Sequence, residues 1–346
     1  MNPFAAAKKL ATARPALLAG AAVLAGLALA NHAAARRAER KHPPKGGFIE
    51  VDGVRLHYTD RGSGQPVVLI HGNAVTGDDY DTSGVAGRLA ETHRVIVFDR
   101  PGFGHSERPR GRLWTAMAQA DLLHKALERL DVQRPVVVGH SWGAIVALSL
   151  AARRKDDTAG LVLLSGYYFW TFRPDVLLVV PAAVPVLGDL LRYTVSPVLG
   201  RLLMPLLKRA MFSPAPVTAR FKREYSDAMA LRPSQIRATS LDGTLMIPGA
   251  VRLRHHYDDL AKNPVAIVAG SGDKIVRKRS AERLHAEIPG SALRIVEGAG
   301  HMVHQSAPEE VVEAIRAVAR ASAGAPHRQR DGSPPRSASP EAALAA

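Results

Sequence analysis

With 346 residues, 47% of them hydrophobic and 22% charged, the chain carries enough apolar side chain to bury a large core, which excludes a wholly disordered polypeptide. The absence of cysteine excludes disulfides, thiolate metal sites, iron–sulfur clusters and a cysteine nucleophile. The formal charge of +15 would suit nucleic acid or an anionic surface if it were spread evenly, but it is concentrated in two segments. Residues 1–47 hold eight Lys/Arg against one Glu, residues 166–257 hold twelve against five acids, and the rest is close to neutral. A neutral core and an aromatic content of only 5% across the chain argue against nucleic-acid binding.

Lys8, Lys9 and Arg14 precede an uncharged run from Ala16 to Ala30, which Asn31, His32 and a basic cluster from Arg36 to Lys45 follow. The pattern fits a signal peptide cleaved after Ala28-Leu29-Ala30. It fits slightly better a membrane anchor extended through Asn31 and His32 to Ala35, with sidedness open. Residues 1–47 are therefore expected to be an anchor or signal segment with a basic linker. At the other end, residues 321–346 are rich in Ala, Ser and Pro with almost nothing large to bury, and a disordered tail is expected.

Between them, Phe48–Val51 and Val54–Tyr58 flank Asp52-Gly53, a two-residue hairpin signal. Continuous apolar runs follow at Pro66–Ile70, Arg94–Asp99, Pro135–Gly139, Leu161–Ser165, Val265–Ala269 and Ala292–Val296, as expected for strands covered on both faces. Ala116, Ala120, Leu123, Leu127 and Leu130 form a helical stripe. Ser306 and Glu309 have capping-box spacing ahead of Val311, Ile315 and Val318. The alternation predicts an α/β fold built on a mostly parallel eight-stranded sheet. It breaks between Gly166 and Tyr257, where Pro181, Pro185, Pro197, Pro205, Pro214 and Pro216 are expected to divide a helix-prone stretch into short pieces. Residues 166–257 read as a helical cap inserted after the sixth strand, on a core of 48–165 and 258–320.

The strand Val136–Val138 runs into Gly139-His140-Ser141-Trp142-Gly143 and then an apolar helix. G-x-S-x-G is weak alone, but strand, sharp turn and helix are the context in which it exposes a serine hydroxyl beside helix amides. Serine needs a base and a group orienting that base. Gly270-Ser-Gly-Asp273 and Glu297-Gly-Ala-Gly-His301 each follow a strand, and in a parallel sheet those ends share one edge with Ser141.

These features resemble the α/β-hydrolase superfamily over about Phe48 to Arg320. His71-Gly72-Asn73 is similar to its oxyanion segment, and Asp99-Arg-Pro-Gly-Phe-Gly-His-Ser106 to its D-x-x-G-x-G-x-S turn. The resemblance implies Ser141 as nucleophile, His301 as base, Asp273 as orienting acid, and the backbone N–H groups of Asn73 and Trp142 as the oxyanion hole, with no cofactor and no metal. The elbow and His-Gly-Asn segments also resemble haloalkane dehalogenases, which, like fluoroacetate dehalogenases and epoxide hydrolases, use Asp where this chain has Ser141. The Pro often found after His-Gly-x is Ala74 here.

Rival assignments are a surface role for Asp273 facing Lys274 and Arg277, with Asp258 or Asp259 as the acid, and His304 as the base. His140, beside the serine in an extended strand, should point away from it. His71 is expected to buttress the oxyanion loop and Asp99 to fix a turn. Within the cap, Leu199, Leu202, Leu203, Leu206, Leu207, Met211 and Phe212 share a segment with Arg201, Lys208 and Arg209. That mix suits a segment lying on anionic lipid, or leucines packed on the core with the cations facing water.

The sequence thus predicts a membrane-associated serine hydrolase, or a secreted one if the leader is cleaved, acting on a small-molecule hydrophobic ester through an acyl-enzyme. The alternatives are a carbon–carbon bond hydrolase or cofactor-free haloperoxidase-like enzyme with the same triad, and a non-catalytic membrane-tethered binding protein.

Overall fold

The computed structural model describes residues 3–171, 180–254 and 257–323. It opens with helix α1 (Pro3–Lys41), followed by the hairpin β1 (Gly47–Val51) and β2 (Val54–Arg61). Asp52 and Gly53 at the tip have φ of 50° and 71°, the paired left-handed geometry that a two-residue turn requires. The sheet continues with β3 (Pro66–Ile70), β4 (Arg94–Phe98), β5 (Val136–His140), β6 (Gly160–Leu164), β7 (Val265–Gly270) and β8 (Ala292–Val296). Its spatial order is β1-β2-β4-β3-β5-β6-β7-β8, with the first two pairings antiparallel and the others parallel.

The inner strands β3, β5, β6 and β7 are almost wholly apolar and buried because helices cover both faces, whereas β8 at the edge carries an exposed Arg294. On one side α4 (Ala116–Arg129) and α5 (Trp142–Arg153) bury Leu123, Leu127, Ile145 and Leu148 against Val137, Leu161 and Ile267. On the other, α3 (Val85–Ala90) and the last helix, α13 (Pro308–Ala323), bury Leu89, Val311 and Ile315 against Val67, Val138 and Val268. A short α2 (Asp78–Thr82) precedes α3. Thr115 caps α4, its hydroxyl accepting from the Ala118 N–H at 3.1 Å.

Between β6 and β7 the described chain is helical: α6 (Leu187–Tyr193), α7 (Val195–Phe212), α8 (Ala219–Glu224), α9 (Asp227–Ala230) and α10 (Pro233–Leu253). Two expectations fail here. Pro197 and Pro205 lie within the continuous 18-residue α7 and do not break it. Pro197 sits in the first turn, where its missing N–H has no intrahelical acceptor to lose, and at Pro205 the flanking turns carry the helix across one missing bond. The capping box at Ser306 is also not formed: the Ser306 hydroxyl has no hydrogen-bond partner among the described residues, and Pro308, with φ preset for a helix, starts α13. Helix α11 (Arg279–Glu287) joins β7 to β8, and α12 (Val303–Ser306) precedes α13. Because α13 continues to Ala323, residues 321–323 of the expected tail are helical, while 324–346 lie outside the described residues.

The long α1 has two environments. Its apolar portion leaves Leu17, Leu18, Val23 and Leu29 exposed. Its C-terminal part packs on the β6–β7 helices: Asn31 Nδ2 donates to the Tyr193 and Thr194 carbonyls at 3.0 and 2.9 Å, Ala38 is buried, and Glu39 pairs with Arg232 at 3.0 Å. By length and composition the Pro15–Lys41 portion can cross a membrane, as an anchor or a signal peptide would.

Helix α10 is tied to the core by a buried charge cluster. Asp242 takes Arg100 Nη1 at 2.5 Å on one carboxylate oxygen and Arg108 Nη1 at 2.9 Å on the other, and its own carbonyl accepts Trp142 Nε1–H at 2.8 Å. Removing one member strands the others without solvent. Asp242→Ala should therefore cost about 3–5 kcal/mol in a urea-unfolding experiment; a loss below about 1 kcal/mol would show that the cluster contributes little.

Candidate active site

Ser141 stands at the junction of β5 and α5 with φ of 52° and ψ of −116°, a conformation that costs a non-glycine residue strain. The crossing is so close that a Cβ at Gly139 would lie 2.5 Å from the Gly143 carbonyl oxygen, and one at Gly143 would lie 2.3 Å from the Ile70 carbonyl oxygen. Both contacts are with backbone, which cannot move aside as a side chain would. The turn projects Ser141 beyond the strand ends, with Trp142 as the first residue of the helix. Amides in that first turn have no preceding helical carbonyl to bond.

β5 is flanked by β3 and β6, and β7 and β8 follow in order, so the loops after β3, β5, β7 and β8 emerge along one edge. Asp273 lies three residues beyond β7 and His301 five beyond β8. His301 Nε2 is 2.9 Å from Ser141 Oγ, and His301 Nδ1 is 2.8 Å from Asp273 Oδ2. With the ring proton on Nδ1 donated to the carboxylate, Nε2 is free to accept from the serine hydroxyl. The second oxygen of Asp273, Oδ1, accepts the backbone N–H groups of Ile275 and Val276 at 2.8 and 2.9 Å, which fixes the carboxylate as an acceptor. All three residues are buried, Ser141 the most accessible at 8%.

Two of the rival readings are resolved by the contacts. His304 Nε2 pairs with Asp79 Oδ2 at 2.7 Å, and Asp273 faces inward to His301, away from solvent. His140 has a role that sequence reasoning missed: its Nε2–H donates to the His301 carbonyl at 3.1 Å, supporting the loop that carries that imidazole. Burial and the neighbouring His304 and His301 hold the His140 ring well below the ordinary histidine range, so it stays neutral.

The His71–Gly72–Asn73 loop runs directly against the serine, since a Cβ on Gly72 would lie 3.2 Å from Ser141 Cβ. Asn73 is pinned through its side chain, Nδ2 donating to the Thr239 carbonyl at 3.1 Å and Oδ1 accepting the Ala74 N–H at 3.1 Å. Ala74 has φ of 63°, which the pyrrolidine ring of proline cannot reach, so the alanine there accords with this loop's shape. Arg100 shapes the loop from below. Its Nε–H and Nη2–H donate to the His71 and Gly72 carbonyls, both at 2.8 Å, while its backbone N–H donates to His71 Nε2 at 2.9 Å. His71 Nδ1–H in turn donates to the Gly72 carbonyl. In the sequence Arg100 reads only as part of a turn, and nothing in the sequence signals that Asp242 would anchor it. Asp99 fixes that turn by accepting from His57 Nδ1 at 2.7 Å and from the Gly77 and His105 N–H groups at 2.8 and 3.0 Å.

Residues 67–314 match the sequence profile of the alpha/beta hydrolase family. The chain belongs to this family. Among curated relatives, haloalkane dehalogenase 2 of Mycobacterium tuberculosis is 27% identical over 286 residues, covering 79% of this chain and 94% of the relative. Among solved structures, Est816, described as an N-acyl homoserine lactone degrading enzyme, is 25% identical with a TM-score of 0.57, covering 78% of this chain and 99% of that one. A thermophilic esterase from Thermogutta terrifontis is 23% identical with a TM-score of 0.60, covering 80% and 99%, a likeness of fold. Family membership makes this chain a hydrolase of the alpha/beta family.

Burial lowers His71 from 6.5 to about 4, with the Arg100 guanidinium adding to the effect. In the unfolded chain the imidazole takes up its proton near pH 6.5, so folding stability is full above that value and falls as the pH drops toward 4, by roughly 3 kcal/mol from this residue. His71→Asn should flatten the acid limb of stability against pH by about that amount. An unchanged slope between pH 6.5 and 4 would show that His71 is not held neutral.

Proposed function

We propose that the protein is a serine hydrolase that cleaves a carboxylic ester of a hydrophobic acyl compound through an acyl-enzyme. The observation that carries this reading is the hydrogen-bonded chain from Ser141 through His301 to Asp273, with links of 2.9 and 2.8 Å. Ser141 Oγ attacks the ester carbonyl while His301 Nε2 takes its proton. The negative charge on the tetrahedral oxygen is met by the backbone N–H groups of Asn73 and Trp142, and His301 returns the proton to the leaving alcohol. Water activated by the same imidazole then releases the acid. Asp273 holds the imidazole in the required tautomer and stabilises its cationic form.

Serine at the elbow speaks against the dehalogenase chemistry of the M. tuberculosis relative, because the resemblance above places an aspartate there to form an alkyl-enzyme. The degradation of an N-acyl homoserine lactone named for Est816 is compatible with the reading, since a lactone is a cyclic ester. In this view the helices between β6 and β7 form a cap over the site, and α1 anchors the enzyme in a membrane. The cap meets the catalytic loops directly: the Met302 N–H donates to the Met211 carbonyl at 3.2 Å, and Met302 packs with Phe212, Val75 and Phe221 in one apolar cluster.

A panel of p-nitrophenyl acyl esters of increasing chain length tests this. Turnover should be measurable and should fall by roughly a thousandfold or more in Ser141→Ala, because the triad acts as a unit. Equal turnover in the variant would remove Ser141 from the mechanism. Hydrolysis of a vinylogous diketone but of no ester would move the assignment to carbon–carbon bond cleavage by the same residues.

A further inference from the structure

In a helix packed on a core, the apolar stripe faces inward. In α7 it faces out. Val195, Val198, Leu199, Leu202, Leu206 and Leu207 recur at spacings of three and four and are all exposed, Leu202 at 74% and Leu206 at 64%. Only Pro197, Met204 and Phe212 of this helix are buried. The leucines therefore do not pack on the core. Val186, Leu187, Leu190 and Tyr193 of the preceding segment extend the same exposed apolar surface.

What covers this face is indicated by where α1 meets it. The uncharged stretch between Arg14 and Arg36 rises about 31 Å at 1.5 Å per residue, close to the roughly 30 Å of a bilayer's hydrocarbon core. Asn31 falls inside that stretch, five residues before Arg36, and there its amide donates to the carbonyls of Tyr193 and Thr194, at the junction of α6 and α7. An α1 that spans the bilayer thus carries the start of α7 to the edge of the same leaflet, and a polar side chain at that depth finds its partners in the protein. The basic residues add little: Lys208 is paired with Asp227 and Arg201 reaches Asn31 Oδ1 at 3.4 Å, which leaves exposed Arg209. The contact is chiefly apolar.

We infer that the exposed face of α6 and α7 lies in the acyl-headgroup boundary of the leaflet from which α1 emerges, making α7 a membrane-docking helix. This rests on the anchoring of α1 proposed above. The far end of α7 is seated on the loops of the proposed triad. A Cβ at Gly300 would lie 2.4 Å from the Phe212 carbonyl oxygen, and one at Gly272 would lie 2.2 Å from Pro214 Cδ. Docking therefore sets the loops bearing His301 and Asp273 beside the lipid surface, where a hydrophobic ester is concentrated.

The absence of cysteine makes the test direct. Leu202→Cys, Leu206→Cys and, as a comparison, Lys262→Cys, which is exposed just before β7 at the opposite edge of the sheet, are prepared in the full chain and labelled with a nitroxide. Each is reconstituted in vesicles of phosphatidylcholine with one-fifth phosphatidylglycerol, and collision with oxygen is compared with collision with an aqueous nickel chelate. Labels at 202 and 206 should favour oxygen over nickel several-fold more than the label at 262. If the chain floats with vesicles but all three labels meet nickel alike, the docking inference fails and the anchor stands. If the chain does not float, anchor and docking fail together, while ester turnover still reports on the proposed triad. Strong spin–spin coupling at 202 and 206 without the oxygen preference would assign the face to a second copy and overturn the proposal.

Discussion

The backbone crossing at Gly139 and Gly143 is the constraint on which the rest of the site depends. Strand β5 and helix α5 meet there with no room for a single methyl group, and Gly143 in turn lies against the end of β3. The approach forces Ser141 into a strained conformation that lifts it out of both elements, and it brings the His71–Gly72–Asn73 loop to the same point. A parallel sheet then does the remaining assembly, since every strand from β3 to β8 ends on one edge and the loops after β7 and β8 need only a few residues to deliver a carboxylate and an imidazole.

A second layer of polar contacts holds that arrangement in place from beneath. Arg100 reaches two carbonyls of the loop after β3 with one edge of its guanidinium and Asp242 of α10 with another, so the loop beside Ser141 and helix α10 are fixed by one buried cation. Trp142 joins the same unit through its indole N–H and by stacking under the guanidinium, 4.7 Å from the ring. His140 provides the corresponding support for the loop bearing His301. Neutral His71 and His140 belong to this layer, whose integrity depends on their staying uncharged in the core.

The eight strands were legible because apolar β-branched runs bounded by Gly, Pro and Asp have few other physical readings, and each expected run matches a strand to within a residue or two, Val54–Tyr58 alone running on to Arg61. Ser141, Asp273 and His301 were legible because each follows such a run in a loop, and topology brings those loops together. What depended on distant pairing was not legible. Arg100 and Asp242 are 142 residues apart, and neither position has a periodic or spacing signal. Proline is a poor guide inside α7, since its cost depends on whether the lost bond is replaced by surrounding packing. The outward face of α7 could not be read either, because an amphipathic pattern gives the width of an apolar stripe and not the direction in which it points.

The central claim is that the hydroxyl of Ser141 is activated by His301. Reaction of the intact chain with a fluorophosphonate, followed by peptide mass mapping, addresses it most directly. The account predicts one stoichiometric phosphonyl adduct on Ser141, lost in Ser141→Ala and slowed by orders of magnitude in His301→Ala. An unmodified Ser141, or an adduct that forms equally fast without the imidazole, would contradict it.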